Sequence, residues 1–145
     1  MASRVEYLNL LHAATSEICQ ILDLDEDTTM NLSLAVHEAA VNAVKHGNRM
    51  DSAKQVKVIY TIEKDKLILE VKDQGSGFAA ENVEDPRSSG NIDKASGRGV
   101  FLMRHFVDEI EFQSVPGQGL TVCMVKNLGG TDGKPDPASG GSDGE

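Results

Sequence analysis

Leu34-Ala35-Val36-His37-Glu38-Ala39-Ala40-Val41-Asn42-Ala43-Val44-Lys45-His46-Gly47 has the composition of a buried helix, yet polar residues interrupt it at a fixed interval. Glu38, Asn42 and His46 stand at i, i+4 and i+8, so they project from one face. A polar stripe among Ala, Val and Leu needs partners, which are either solvent and neighbouring loops or a ligand. His37 is one position from Glu38 and points about 100° away around the helix, as packing or a surface contact. Upstream, Asp25-Glu26-Asp27 suits an N-cap and first turn; downstream, Gly47 suits the residue just past a helix end.

Outward from this helix, Val5, Leu8, Leu11, Thr15, Ile18 and Leu22 keep helical spacing and predict an earlier amphipathic helix over about 4–22. Val56, Val58, Tyr60 and Ile62 alternate, as do Leu67, Leu69 and Val71, with Lys64-Asp65 between them: a hairpin. From Asp73 to Gly99 the periodicity disappears into Gly, Ser, Asn, Asp and Pro. Such a stretch far exceeds the usual connection of about 4–6 residues and reads as a lid or binding loop. A short helix over about Val100–Phe106 follows, then a strand at Glu109–Val115, the turn Pro116-Gly117-Gln118-Gly119 and a strand at Leu120–Lys126. The order α-α-β-β-α-β-β predicts an α/β (α+β) two-layer sandwich, with helices on one face of a mixed, mostly antiparallel sheet.

The chain has 145 residues and 15.6 kDa, the size of one domain. Residues 129–145 (GGTDGKPDPASGGSDGE) hold no large apolar side chain and are expected to be a disordered tail after a folded domain over 1–128. Lys and Arg number 14 against 23 Asp and Glu, a formal charge of −9. The tail carries −3 of it and residues 1–128 the remaining −6. This balance argues against direct nucleic-acid binding, which needs a basic surface; one nucleotide needs only a local positive patch and backbone N–H groups. No segment has the roughly 20 apolar residues of a membrane span, nor is there an apolar signal-peptide core, so the expected location is cytoplasmic. Cys19 and Cys123 lack CxxC spacing and read as reduced thiols.

Two further segments carry chemistry. In Val71-Lys72-Asp73-Gln74-Gly75-Ser76-Gly77-Phe78 a strand runs into a carboxylate and two glycines. The glycines allow close backbone approach to a ligand, and the carboxylate can accept a hydrogen bond from an amino group such as adenine N6; the same residues also make an ordinary turn. In Ser96-Gly97-Arg98-Gly99-Val100-Phe101-Leu102-Met103-Arg104 glycines open a helix. There exposed N–H groups and the helix dipole suit a phosphate chain, with Lys94 and Arg98 adding charge; helix-capping glycines are the alternative. Neither P-loop nor Rossmann spacing is present.

Taken together, ExxxNxxxHG, DxGxGF, GxG opening a helix and a Gly-rich turn before Thr121 resemble the GHKL ATP-binding superfamily. The finer resemblance is to the bacterial anti-sigma factor serine/threonine kinases, through Asn42–Asn48, Asp85-Pro86 and Ser96–Ile110, and it spans about residues 5–128. It implies a Bergerat-type ATP-binding fold in which Asp73 receives the adenine amino group, Thr121 helps through water, and Gly75 and Gly77 let the loop close over the base. Asn42 would ligate Mg²⁺, while Ser96, Gly97, Arg98 and Gly99 would line the phosphates of ATP. Glu38 would be the general base, and His46 matches a family position without an assigned role.

The partners implied are a sigma factor, an anti-sigma factor antagonist carrying the acceptor Ser or Thr, and a second copy through the first helix and the strand near Val56. Two departures stand out: Ala79-Ala80 where relatives often carry an acidic residue, and Leu120 where they often carry Thr. The alternatives are a non-catalytic ATP-gated protein-binding switch and a stand-alone ATPase. His12 lacks the Glu-Pro context of a phospho-accepting histidine.

Overall fold

The structure, a computed structural model, describes residues 1–75 and 95–129, with side chains from Val100 onward in the second stretch. After a 3-10 turn at Val5–Tyr7, helix α1 spans Leu8–Ile21 and helix α2 Glu26–Asn42. Strands β1 (Lys57–Glu63) and β2 (Lys66–Lys72) form the expected hairpin. Helix α3 spans Ala95–Phe106, and strands β3 (Glu109–Val115) and β4 (Gly119–Asn127) complete the described fold. The sheet order is β1-β2-β4-β3, and all its described pairings are antiparallel rather than mixed.

The N-terminus of α2 is set by Asp25, whose carboxylate accepts the Thr28 N–H at 2.7 Å. A cap of this kind contributes about 1 kcal/mol. From there Leu32, Ala35, Val36, Ala39, Ala40, Ala43 and Val44 bury one continuous side of the helix. They pack over the sheet face formed by Leu67, Leu69 and Val71 on β2 and Leu120, Val122 and Met124 on β4. The small residues Ala35, Ala39, Ala40 and Ala43 leave room for neighbouring elements to come close to α2, and both α1 and α3 pack against it.

Strand alternation sends the other side chains to the opposite face: Ile59 and Thr61, Ile68 and Glu70, Thr121, Cys123 and Val125, Glu111 and Gln113. Cys19 is buried in the core, and burial pushes its thiol pKa up. Burial does the same for Cys123, reinforced by Glu70 and Glu111. Both thiols are therefore held in the poorly nucleophilic protonated form.

Two elements differ from the sequence reading. The helix expected to run regularly to Gly47 changes at Asn42 into a π-turn over Ala43–Gly47, closed by Asn48 N–H to the Ala43 carbonyl at 2.7 Å. Helix α3 begins at Ala95, well before Val100, because glycine in a helix costs only about 1 kcal/mol and packing against α2 outweighs it.

Candidate functional site

The π-turn matters because it brings the end of α2 onto the end of β2. Asp73, one residue beyond β2, is 7% exposed. Its Oδ1 accepts N–H groups from Gly75 at 2.9 Å and Leu120 at 3.1 Å, and its own N–H donates to the Leu120 carbonyl at 3.0 Å. The carboxylate is thus fixed through one oxygen. Among the described residues no donor reaches Oδ2, an oxygen that can only accept when ionised.

Three glycines make this position possible. A Cβ on Gly47 would lie 2.2 Å from Asp73 Oδ2, one on Gly119 would lie 2.2 Å from the Asp73 carbonyl oxygen, and one on Gly75 would lie 2.1 Å from the Gly47 carbonyl oxygen. Gly47 is therefore more than a helix stop, and Gly119 more than part of a turn. Gly75 does serve a close approach, but to the backbone of Gly47.

Asp73 opens onto a cavity of about 60 Å³, close to the volume share of two water molecules. Helix α2 and the π-turn contribute Ala39, Asn42, Ala43, His46 and Gly47; the sheet contributes Val71, Phe112, Leu120 and Val122; α3 contributes Val100. Its walls are apolar, and its polar groups are Asn42, His46 and Asp73. Asn42 and Asp73, far apart in sequence, therefore line one cavity. Glu38 does not line the cavity: it is half-buried on α2 one turn before Asn42, about 6 Å along the axis.

Thr121 is not in this cavity, contrary to expectation. Leu120, Val122 and Met124 face the helices, so Thr121 falls with Cys123 and Val125 on the far face, beside Lys72 and Gln113. The β4 side chain that reaches the site is Leu120. Ser96, Gly97, Arg98 and Gly99 belong to the first turns of α3, the helix whose Val100 lines the cavity. Gly77, Lys94, Ala79-Ala80 and Asp85-Pro86 lie outside the described residues, as does the tail beyond residue 129.

One positioning residue escaped the sequence reading. Asn48 is fully buried, accepts the Gln74 N–H at 2.7 Å and donates to the Gln55 carbonyl at 2.9 Å, while the Gln55 N–H reaches Gln74 Oε1 at 2.7 Å. This closed ring ties the π-turn to the residue between Asp73 and Gly75. Asn48→Asp turns the donor facing Gln55 into an acceptor. We expect a loss of about 1–3 kcal/mol near neutral pH.

The introduced carboxyl, buried and facing a carbonyl, has its folded pKa raised above about 3.9. Its penalty is full above that raised pKa and shrinks as pH falls through it, when the protonated form donates again. Urea unfolding against the parent chain at several pH values checks this; a loss that grows in acid contradicts it.

A search with family models matches residues 1–126 to the histidine kinase-like ATPase domain. The chain belongs to the histidine kinase-like ATPase family. Among its relatives, serine-protein kinase RsbW of Bacillus velezensis is 30% identical over 86% of this chain and 81% of its own length. Anti-sigma F factor of Anoxybacillus flavithermus is 33% identical over 74% and 75%. The histidine kinase domain of a blue-light activated histidine kinase from Erythrobacter litoralis superposes with a TM-score of 0.59 at 18% identity. It covers 81% of this chain and 61% of that one, and shows a shared fold. In this histidine kinase-like ATPase domain, no helix among the described residues is long and apolar enough to cross a membrane.

Proposed function

We propose that the chain is a cytoplasmic protein-serine/threonine kinase that binds Mg-ATP, sequesters a sigma factor and phosphorylates a Ser or Thr of an anti-sigma factor antagonist. The observation that carries this reading is the Oδ2 of Asp73, which no donor reaches among the described residues, in an apolar cavity that Asn42 also lines. A buried acceptor held by backbone N–H groups suits the exocyclic amine of adenine, and apolar walls around about 60 Å³ suit the edge of the base that carries it. RsbW and anti-sigma F factor, named for a serine-protein kinase and an anti-sigma factor, support the kinase and sigma-factor parts.

The donor set also fits magnesium. Asn42 offers an amide oxygen at the cavity, the kind of hard ligand that Mg²⁺ accepts singly while keeping waters and phosphate oxygens. When bound, the ion neutralises phosphate charge. The chain's own contribution is to orient: Asp73 holds the base, the first turns of α3 present N–H groups toward phosphate, and Glu38 accepts the proton of the attacking hydroxyl. The γ-phosphoryl group then passes to that hydroxyl oxygen and ADP leaves. Pairing of two copies through α1 and β1 belongs to the same proposal.

The test is to incubate the chain with Mg-ATP labelled at the γ-phosphate and its candidate antagonist. Label is expected on a Ser or Thr of the antagonist, and Asp73→Asn is expected to abolish both labelling and calorimetric binding. Absence of label with the parent chain overturns the kinase reading, and absence of binding heat overturns the nucleotide site itself.

A further inference from the structure

A second cavity, about 450 Å³, lies away from this site, in an open groove between α1 and α2. His12, Ser16 and Gln20 line it from successive turns of α1, and Glu26, Thr29 and Ser33 from α2. Ser33 is 2% exposed and among the described residues its hydroxyl has no hydrogen-bond partner, not even the carbonyl one turn back that a helical serine often uses. Alanine would fill the same position with no polar group to desolvate. The groove therefore keeps an unsatisfied hydroxyl at its base, beside Met30, which is 62% exposed.

Its charge is one-sided. Between Arg4 and Lys45 no lysine or arginine occurs, while Glu6, Glu17, Asp23, Asp25, Glu26, Asp27 and Glu38 do. This helical hairpin thus carries −7, and the rest of residues 1–128 sums to +1. The helical hairpin that forms the groove thus holds the acidity of the folded part, with Glu26 in the groove's own lining, and a field of that sign steers cationic partners.

We propose that the α1–α2 groove is a docking site for a basic amphipathic helix of a partner protein. Its apolar stripe would lie against Leu24 and Met30, a long polar side chain would reach Ser33, and flanking Lys or Arg would meet Glu26 and the neighbouring acids. A groove between two helices is the shape that takes a third helix, and α1, with 14 residues or about 21 Å, matches a helix of four turns or so. This surface is independent of the nucleotide cavity.

The probe is a labelled Lys/Arg/Ala/Leu peptide of about five helical turns, compared with a scrambled peptide of equal composition. The amphipathic peptide is expected to bind the full chain at least about tenfold more tightly, with affinity falling as salt rises. Amide shifts should centre on His12, Ser16, Gln20, Thr29 and Ser33. Filling the groove with Ser16→Phe should weaken binding about tenfold. Glu26→Lys with Met30→Lys, both at exposed positions, should do the same without risk to the core, and Mg-ATP binding should stay unchanged in both. Equal affinity for the scrambled peptide, shifts elsewhere, or a self-association that the Met30 change dissolves would each overturn the proposal, the last in favour of a second copy.

Discussion

Gly119→Ala is expected to lose about 2–4 kcal/mol of stability together with most of the affinity for Mg-ATP. Two costs add. Gly119 has φ +97°, a conformation that costs a side chain about 1–3 kcal/mol. Its Cβ would also stand 2.2 Å from the Asp73 carbonyl oxygen, which is backbone and cannot rotate away. The movement that relieves this contact displaces the reciprocal hydrogen bonds between Asp73 and Leu120, and with them the carboxylate.

Gly117 is the internal control, with φ +78° and nothing within 4 Å of its Cβ position. Gly117→Ala should cost about 1 kcal/mol and leave nucleotide affinity intact. Urea unfolding and calorimetry of both variants separate strain from site damage. Equal behaviour of the two would mean that the approach of β4 to Asp73 contributes nothing to the site.

That contrast also shows why some of the molecule is readable in its sequence. Strand β3 could be read residue by residue, because Ile110 and Phe112 alternate with polar neighbours and the turn 116–119 stops the pattern. That Glu38 and Asn42 share a helix face and that Asp73 ends a strand could be read because spacing on a helix and a strand end are local properties. The Leu120 orientation was legible too: it shares parity with Val122 and Met124, which places Thr121 on the other face.

The π-turn was not legible, because it depends on Asn48 bonding to Gln74 across 26 residues and on two glycines meeting Asp73. Such contacts exist only after the sheet has formed. The groove between α1 and α2 is similar: Ser33 sits in an unremarkable helical stretch, and only the fold shows its hydroxyl to be unpaired.

Glu38→Ala is expected to reduce phosphoryl transfer by about 10²–10⁴-fold while leaving Mg-ATP affinity within about twofold. The geometry separates the two effects. Glu38 is absent from the cavity walls, so removing its carboxylate deprives the base-binding end of nothing, while the turn carrying Asn42 keeps its backbone and neighbours. It is also half-buried on a helix where alanine is the best former, so stability should change by less than about 1 kcal/mol and lost transfer cannot be ascribed to unfolding.

Three outcomes divide the functional readings. Transfer lost with partner binding altered as well belongs to a kinase whose cycle runs through the reaction. No transfer by the parent chain, with ATP governing partner binding in both the parent and Glu38→Ala, belongs to a nucleotide-gated switch, in which a ligand that favours one folded state is sufficient. Phosphate release by the parent chain without any partner, abolished by Glu38→Ala, belongs to an ATPase, because the same carboxylate would then be orienting water. Measuring label transfer, ATP heat and partner affinity on one preparation decides among them, since each reading expects a different combination of those quantities in the parent and in Glu38→Ala.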